Sequence, residues 1–445
     1  MKARIAFAVG ALLASGTFCA AAVPSIRTVP NIETPAQETV LYSFAGGLDG
    51  ATPLGSLIED SAGAFYGTTA FGGSSGCAFG AGCGTVFKLA PSNGGYVESI
   101  LYRFQGGADG NGPGTGLVED SNGALYGTTE YGGSSQSYGT VFKLTPKGST
   151  YQETLLHVFT GGRDGIAPLA SLILGPNGVL YGNTLLGGTG SCGSGMGCGT
   201  VFSVRPSGKG YTERVIYRFK GKDDGATPAA ALIMDSSGTL YGAAGTGGVP
   251  HCGGAPINDG CGTVFTLTPN GSHYAFRVLH HFHGAPHDGG NPFGITRMGG
   301  TIFGTTEYGG KDNVGSVFML TPGSSAGPSS PLNLRYFAAV LHSFHGRTDG
   351  EYPLAGLALS NSGTLYGVTQ YGGGQHDSGT AFQLVQSNGR YVFSLLHRFT
   401  GGMGGKDAGY PVATLLLDAS GALYGTSPEG GRNPAWAGTV FRITP

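Results

Sequence analysis

The sequence has few charged residues and no charged runs. Lysine, arginine, aspartate and glutamate make up 11% of its 445 residues, and the net charge is −2. Proteins that bind nucleic acid or acidic membranes usually carry a basic patch, so we expect neither partner. Beyond the N-terminus, no apolar stretch is long enough to cross a bilayer, and we expect no membrane span. Disorder is excluded as well, because aromatic residues make up 10% of the chain.

Further absences limit the chemistry. The sequence has no G-x-S-x-G nucleophile elbow, no strand–loop–helix phosphate cradle and no Asp-x-Asp-x-Asp calcium loop. No segment shows helical periodicity. We therefore predict no cofactor and no metal, and we leave catalysis uncertain while favouring a protein that is not an enzyme.

Glycine is abundant instead, with 87 residues, about three times its usual share. It does not follow the three-residue period of collagen. Glycine-rich turns between short strands fit better, and they indicate an all-β protein.

The N-terminus predicts export. Lys2 and Arg4 precede a short apolar run, and Ala20-Ala21-Ala22 provides a cleavage site, so residues 1–22 fit a signal peptide and residues 23–37 a leader. Lipidation at Cys19 is disfavoured, because the bulky Phe18 precedes it. We expect a secreted or periplasmic monomer without a C-terminal anchor.

The six remaining cysteines form three local pairs. An even number in an exported chain indicates disulfides, here Cys77–Cys83, Cys192–Cys198 and Cys252–Cys261. A zinc site is the alternative, but it would need tighter spacing within each pair.

Three motifs recur in order. "GTVF" or a close copy occurs seven times, "LYG", "FYG" or "IFG" recurs in step with it, and an Asp-Gly precedes each copy except the last. Each unit of about 55–64 residues contains four strand-like runs, which predicts a seven-bladed β-propeller with four antiparallel strands per blade. An open solenoid is the weaker alternative, because no capping sequence is present.

The chain ends predict how the ring closes. The seventh unit stops after three strands, and the strand that it lacks stands alone at residues 38–44. We therefore expect a 3+1 closure, which hides both sheet edges. A single propeller would span residues 38–445, with blades at about 50–104, 110–159, 165–219, 225–282, 289–344, 350–399 and 408–445.

These motifs resemble a known family. The order F-x-G-G-x-D-G, then L-Y-G-T-T-x-x-G-G, then G-T-V-F, over residues 38–445, is similar to the GloVer tandem repeat. The resemblance implies an exported bacterial repeat protein, and it implies no particular activity.

The topology predicts where a ligand would bind. If strands A to D run from axis to rim, the D–A and B–C loops share one face, called the loop face below. The B–C loops contain all six paired cysteines, and the two residues after Thr-Thr vary between blades. Carboxylates and aromatic rings at these positions suit a polar ligand such as a glycan. The candidate ligand-binding residues are Phe71, Glu130, Tyr131, Glu307, Tyr308, Gln370 and Tyr371.

Residues that recur in almost every blade are interpreted as scaffold. The Asp-Gly residues are expected to form interblade turns, with a ring of cation-binding carboxylates as the alternative. They are Asp49, Asp109, Asp164, Asp224, Asp288 and Asp349. His280 fits a structural strand position, whereas His281, His283 and His287 leave a surface metal site open.

Three functional hypotheses follow. The leading one is a binding or interaction module that uses the loop face to hold an extracellular glycan or a protein. The second is a lyase or hydrolase on the same face, although Glu130 and Glu307 fall in different blades and are expected to be too far apart for a catalytic pair. The third is a structural envelope protein.

Overall fold

The computed structural model describes residues 36–77, 80–148, 150–192, 195–250, 252, 260–323, 335–401, 407–432 and 437–445. The predicted signal peptide, and the predicted leader up to residue 35, lie outside these residues. In the described part of the chain, no helix is long and apolar enough to cross a membrane.

The protein is a seven-bladed β-propeller, as the sequence predicts. Seven antiparallel sheets of four strands form the blades. The first strand of the described residues is β1 (Gln37–Ser43). Blades 1 to 3 contain β2 (Ile58–Glu59), β3 (Phe65–Thr69), β4 (Thr85–Ser92), β5 (Gly95–Arg103), β6 (Val118–Glu119), β7 (Leu125–Thr129), β8 (Thr140–Lys147), β9 (Thr150–Val158), β10 (Ile173–Leu174), β11 (Leu180–Thr184), β12 (Thr200–Ser207) and β13 (Gly210–Arg218).

Blades 4 to 6 contain β14 (Ile233–Met234), β15 (Leu240–Ala244), β16 (Thr263–Asn270), β17 (His273–His281), β18 (Gly290–Met298), β19 (Thr301–Tyr308), β20 (Ser316–Pro322), β21 (Tyr336–Ser343), β22 (Ala358–Leu359), β23 (Leu365–Thr369), β24 (Thr380–Ser387) and β25 (Arg390–Arg398). The last part of the chain forms β26 (Ala408–Gly409), β27 (Leu416–Leu417), β28 (Leu423–Ser427), β29 (Glu429–Gly430) and β30 (Thr439–Thr444). Two short 3-10 turns lie at Gly47–Asp49 and Pro176–Gly178.

Blade 7 combines the first and the last strands of the described residues. Its strand order is β27, β28, β30 and β1, and β1 pairs antiparallel with β30 from Gln37 opposite Thr444 to Ser43 opposite Thr439. This pairing confirms the predicted 3+1 closure, in which the first strand of the described chain completes the last blade.

A phenylalanine pair packs at each seam between neighbouring blades. The residue that follows strand D is always phenylalanine and is at most 2% exposed. Its ring meets the phenylalanine of the "GTVF" motif in the next blade edge to face, with centroids 5.0–5.2 Å apart. Edge-to-face packing at this distance stabilises aromatic pairs beyond the area that they bury. The repeated phenylalanines therefore hold the ring together.

Small residues allow the inner strands to meet at the axis. A Cβ added to Gly294 of blade 5 would lie 2.4 Å from the Cα atom of Gly356 in blade 6. Between blades 2 and 3, the backbone N–H of Gly116 donates to Ser171 Oγ at 2.9 Å. Strand B, one layer further out, is buried along most of its length, because neighbouring blades cover both of its faces.

The three cysteine pairs are disulfides, and they lie in B–C loops of the loop face. Cys83, Cys198 and Cys261 are fully buried. The Cys77–Cys83 bridge packs on Gly106 of the next D–A loop, where an added Cβ would come within 2.3 Å of Cys77 Sγ. This bridge therefore closes its own B–C loop and also packs against the D–A loop that leads to the next blade.

Buried carboxylates face each other at four seams. The fourth residue of strand D is Glu98, Glu153 or Glu213 in blades 1 to 3, and Glu38 occupies the equivalent place in blade 7. Burial, followed by the nearby aspartate of the preceding D–A loop, raises the pKa of Glu98, Glu153 and Glu213 to about 7. The pKa of Glu38 is raised to about 8 by burial and by Asp407. One carboxylate oxygen of each glutamate is buried and has no hydrogen-bond partner.

These glutamates predict a pH-dependent stability. Their pKa values in the folded state lie above the ordinary value of 4.5, so the folded state binds more protons between pH 4.5 and about 7. Their stabilising contribution is full below pH 4.5 and is lost as the pH rises through the folded pKa. We expect the combined change Glu98→Gln, Glu153→Gln and Glu213→Gln to raise the melting temperature relative to the unaltered protein, by an increment that grows as the pH rises across this window.

Melting curves at a series of pH values check this prediction. Glu119→Gln is a comparison variant in strand A, where burial and nearby Asp60 raise the pKa of a partly exposed glutamate and Lys88 lowers it, so we expect a smaller pH-dependent increment there. An increment in the triple variant that stays constant with pH would contradict the prediction.

Candidate functional site

Seven backbone bridges organise the loop face. In each blade, the second residue after the Asp-Gly aspartate pairs with the second residue after the Thr-Thr position. In blade 6, the N–H of Glu351 donates to the Tyr371 carbonyl at 2.9 Å, and the return bond measures 3.2 Å. The pairs are Ala51–Phe71, Asn111–Tyr131, Ile166–Leu186, Ala226–Thr246, Gly290–Tyr308, Glu351–Tyr371 and Gly409–Glu429. The predicted ligand positions therefore lie beside the start of strand A, near the axis, on a fixed backbone.

A hydroxyl group fixes the same backbone in six blades. Thr306 Oγ1 donates to the Tyr308 carbonyl at 2.9 Å, and Thr369 Oγ1 donates to the Tyr371 carbonyl at 3.0 Å. The second residue of the Thr-Thr pair thus fixes the backbone of the residue two positions later. Blade 4 has Ala244 in this place and lacks the bond.

The third residue after each of these aspartates has a left-handed backbone. Its φ lies between 52° and 69° in all seven blades, although six of the seven residues are not glycine. They are Thr52, Gly112, Ala167, Thr227, Asn291, Tyr352 and Tyr410. Each N–H donates to a carbonyl of the preceding blade at 2.8–3.0 Å, as Tyr352 does to Val314. Such a conformation is unfavourable for a non-glycine residue, and here interblade hydrogen bonds hold it.

This conformation aligns four tyrosines across blades 5 to 7. The Tyr308 and Tyr352 ring centroids are 5.8 Å apart, those of Tyr352 and Tyr371 are 6.1 Å apart, and those of Tyr371 and Tyr410 are 5.3 Å apart. All four rings are partly exposed. They form a continuous row, called the tyrosine arc below. Tyr308 and Tyr371 are residues that the sequence predicts, whereas the sequence analysis did not identify Tyr352 and Tyr410.

A glutamate lies at the blade 5 end of the arc. The side-chain amide of Asn291 donates to Glu307 Oε2, and the Tyr308 hydroxyl is hydrogen-bonded to the same carboxylate. Burial and this hydrogen bond raise the pKa of Tyr308. The tyrosine is therefore a neutral hydroxyl at physiological pH, and Glu307 is held in place from two sides.

Further carboxylates act on the middle and the far end of the arc. Burial raises the pKa of Tyr352, and Glu351 and Glu307 raise it further. Burial also raises the pKa of Tyr410, with Glu429 as the next cause and Asp377 as a smaller one. The arc is consequently bordered by negative charge along its length.

The other predicted residues lie elsewhere or contribute differently. In blade 2, Tyr131 is 47% exposed, and its hydrogen bond with Glu130 and its burial raise its pKa to about 12. Gly112 stands where blade 6 has Tyr352, so no ring connects Tyr131 to a neighbour there. Phe71 is also exposed, and among the described residues neither Phe71 nor Tyr131 has a ring contact with the arc. The backbone N–H of Gln370 donates to the Tyr352 carbonyl at 3.1 Å, beneath the arc.

The Asp-Gly aspartates hold the interblade turns through contacts with strand D and with the turn backbone. In each blade the carboxylate faces the tyrosine or histidine near the end of strand D and, in addition, accepts a backbone N–H from the turn. Asp49 accepts the Tyr42 hydroxyl at 2.7 Å, and Asp349 lies 2.9 Å from His342 Nε2 and 2.7 Å from the N atom of His345. Asp407, the seventh copy, faces His397 in the same way at 3.0 Å.

The histidine-rich stretch lines an open pocket of about 570 Å³ at the rim of blade 4. Asp223, Val249, Pro250, Leu279, His280, His281 and His283 are among its lining residues. His280 Nε2 lies 2.7 Å from Asp288, and burial lowers the pKa of His281. Across the described residues, no group of three or more His, Cys, Asp or Glu side chains has an arrangement that could hold a metal ion.

Sequence comparison identifies the repeats. A model of the Gloeobacter/Verrucomicrobia repeat matches residues 28–196 and 190–327. The chain belongs to this repeat family. The matched ranges cover blades 1 to 4 and the first strands of blade 5, so Tyr352, Tyr371 and Tyr410 lie beyond them. No curated protein sequence matches the chain.

Solved structures of the same architecture are distant in sequence. A "putative 6-phosphogluconolactonase" from Bacteroides fragilis is 13% identical, with a TM-score of 0.50 over 86% of this chain and 99% of its own. A fungal alcohol oxidase of the AA5 family, in complex with copper, is 12% identical, with a TM-score of 0.51 over 92% of this chain and 76% of its own. At these identities the similarity shows the fold alone.

Proposed function

We propose that this protein is an exported glycan-binding module and that the tyrosine arc is its binding site. The observation that carries the proposal is the row of four partly exposed tyrosines in contact across three blades. Aromatic rings on a rigid backbone can stack on the apolar faces of sugar rings, while their hydroxyls and the adjacent carboxylates bind sugar hydroxyls. The three disulfides and the predicted signal peptide support an oxidising, extracytoplasmic location.

The backbone supports binding without large rearrangement. Each of the three B-strand ends in the arc is fixed by a bridge, and the Thr306, Thr369 and Ser427 hydroxyls bond the carbonyls two residues further along the chain. A ligand that binds such a site does not have to order a loop first, and this favours affinity. Binding is preferred over catalysis because Glu307 is engaged by Asn291 and Tyr308 in blade 5, whereas Glu130 bonds Tyr131 in blade 2.

Alanine substitutions in the arc should weaken glycan binding. We expect Tyr352→Ala and Tyr371→Ala each to lower the affinity for a bound glycan at least about tenfold, because each removes a central stacking ring. Alanine suits the backbone at the first position, since Ala167 occupies the equivalent left-handed site in blade 3. The measurement is a glycan array followed by calorimetry on the oligosaccharide that binds.

Tyr131→Ala is the matched control. Tyr131 lies at the same bridge position in blade 2 but outside the arc, so this variant should bind like the unaltered protein. If the unaltered protein binds no glycan, or if Tyr131→Ala loses as much affinity as Tyr371→Ala, the assignment of the arc is wrong.

A further inference from the structure

The charge along the tyrosine arc is unbalanced. Carboxylates of Glu307, Glu351, Asp377 and Glu429 each act on at least one of the arc tyrosines. In the described part of the chain, no lysine or arginine is a leading influence on Tyr308, Tyr352 or Tyr410. A neutral sugar needs hydrogen-bond acceptors but gains little from several negative charges. The arc therefore presents more negative charge than a neutral glycan requires.

The ring faces and the carboxylates favour the same kind of group. An ammonium group is attracted to the negative face of an aromatic ring and gains further from a nearby carboxylate. Tyrosine hydroxyls can accept its N–H donors as well. Arg347 offsets part of the charge of Glu351 and lowers its pKa, and a cationic ligand would balance the carboxylates further along the arc.

The backbone around the arc is already paired. The Tyr371 N–H donates to the Glu351 carbonyl, and the bridges Gly290–Tyr308 and Gly409–Glu429 occupy the equivalent groups in blades 5 and 7. A bound peptide strand obtains its affinity from free backbone donors and acceptors at a sheet edge. Recognition here must rely on side chains, which favours a sugar chain over an extended cationic peptide.

We propose, building on the proposed function, that the tyrosine arc prefers polysaccharides with free, protonated amino groups. The rings would stack on the sugar units, and the carboxylates along the arc would hold the ammonium groups. We expect the preference in blades 5 to 7 alone, because Gly112 and Ala167 stand in blades 2 and 3 where blades 6 and 7 have Tyr352 and Tyr410.

Matched oligosaccharides test the preference. The full propeller would be titrated with a glucosamine oligomer from chitosan and with its fully N-acetylated counterpart in mildly acidic buffer. We expect the free-amine oligomer to bind about tenfold more tightly, with the difference shrinking at high salt. Glu351→Gln and Glu429→Gln should reduce the difference, and Glu130→Gln, in blade 2, should leave it unchanged.

Each outcome has a distinct meaning. Equal affinity for the two oligomers would overturn the amine preference but leave glycan binding intact. If neither oligomer binds, the preference is also wrong, and the glycan array with Tyr371→Ala then decides the proposed function separately. Tighter binding of an oligolysine peptide than of the glucosamine oligomer would overturn the inference in favour of a cationic protein partner.

Discussion

A chain that begins at residue 46, and so lacks the closing strand, is expected to lose its cooperative fold. This truncation removes β1 and exposes β30 as an unpaired edge. It also removes Phe44, which is fully buried between blades 7 and 1. The Phe44 and Phe87 ring centroids are 5.1 Å apart. Loss of a buried phenylalanine alone costs about 3–5 kcal/mol, and a typical domain is stable by only about 5–15 kcal/mol. Circular dichroism and thermal melting of the truncated chain measure the effect.

A permuted chain is the matched control. In it, residues 36–45 follow Pro445 through a short turn, which the register allows because Gln37 lies opposite Thr444 at the end of β30. This change converts the 3+1 closure into a blade made of four consecutive strands, and we expect the permuted protein to melt near the temperature of the unaltered one. Cooperative melting of the truncated chain at that same temperature would mean that β1 does not close the ring.

The fold could be predicted because its determinants repeat. The glycine of "LYG", the "GTVF" motif and the phenylalanine after strand D recur in step, and each copy makes the same contact at each seam. The strands assigned in one repeat therefore apply to all seven blades. The closing strand was also predictable, because residues 38–44 match the strand D that the last unit lacks.

The site could be predicted only in part, because it depends on differences between blades. Variation after Thr-Thr pointed to Tyr308 and Tyr371, but the same criterion also gave Phe71 and Tyr131, which lie outside the arc. Which rings meet depends on the residue that lies between neighbouring B strands. That residue is the one with the left-handed backbone, and a proline follows it in every blade. Its variation, from Gly112 to Tyr352, was a signal in the sequence. Its importance follows only from a backbone angle and an interblade hydrogen bond.

Asp349→Ala is expected to destabilise the propeller by about 3 kcal/mol or more, because it leaves buried polar groups without a partner. The side chain of Asp349 is 5% exposed, and it accepts the backbone N–H of His345 while it contacts His342 Nε2. His342 is itself stacked flat on Phe393 of the next blade, with ring centroids 3.8 Å apart. Loss of the aspartate would therefore loosen the seam between blades 5 and 6. Urea denaturation of the variant measures the change.

Asp312→Ala is the control for Asp349→Ala, because both variants remove a carboxylate that contacts His345. Asp312 also hydrogen-bonds His345, through Nδ1, but its side chain is 48% exposed, so its loss should change stability by less than about 1 kcal/mol.

Calcium titration distinguishes the scaffold interpretation of the Asp-Gly aspartates from the cation-binding alternative. A carboxylate that holds the turn gives a melting temperature that does not depend on calcium. If calcium instead stabilises the unaltered protein and Asp349→Ala abolishes that gain, the aspartates bind cations, because a ligand that binds only the folded state raises its stability.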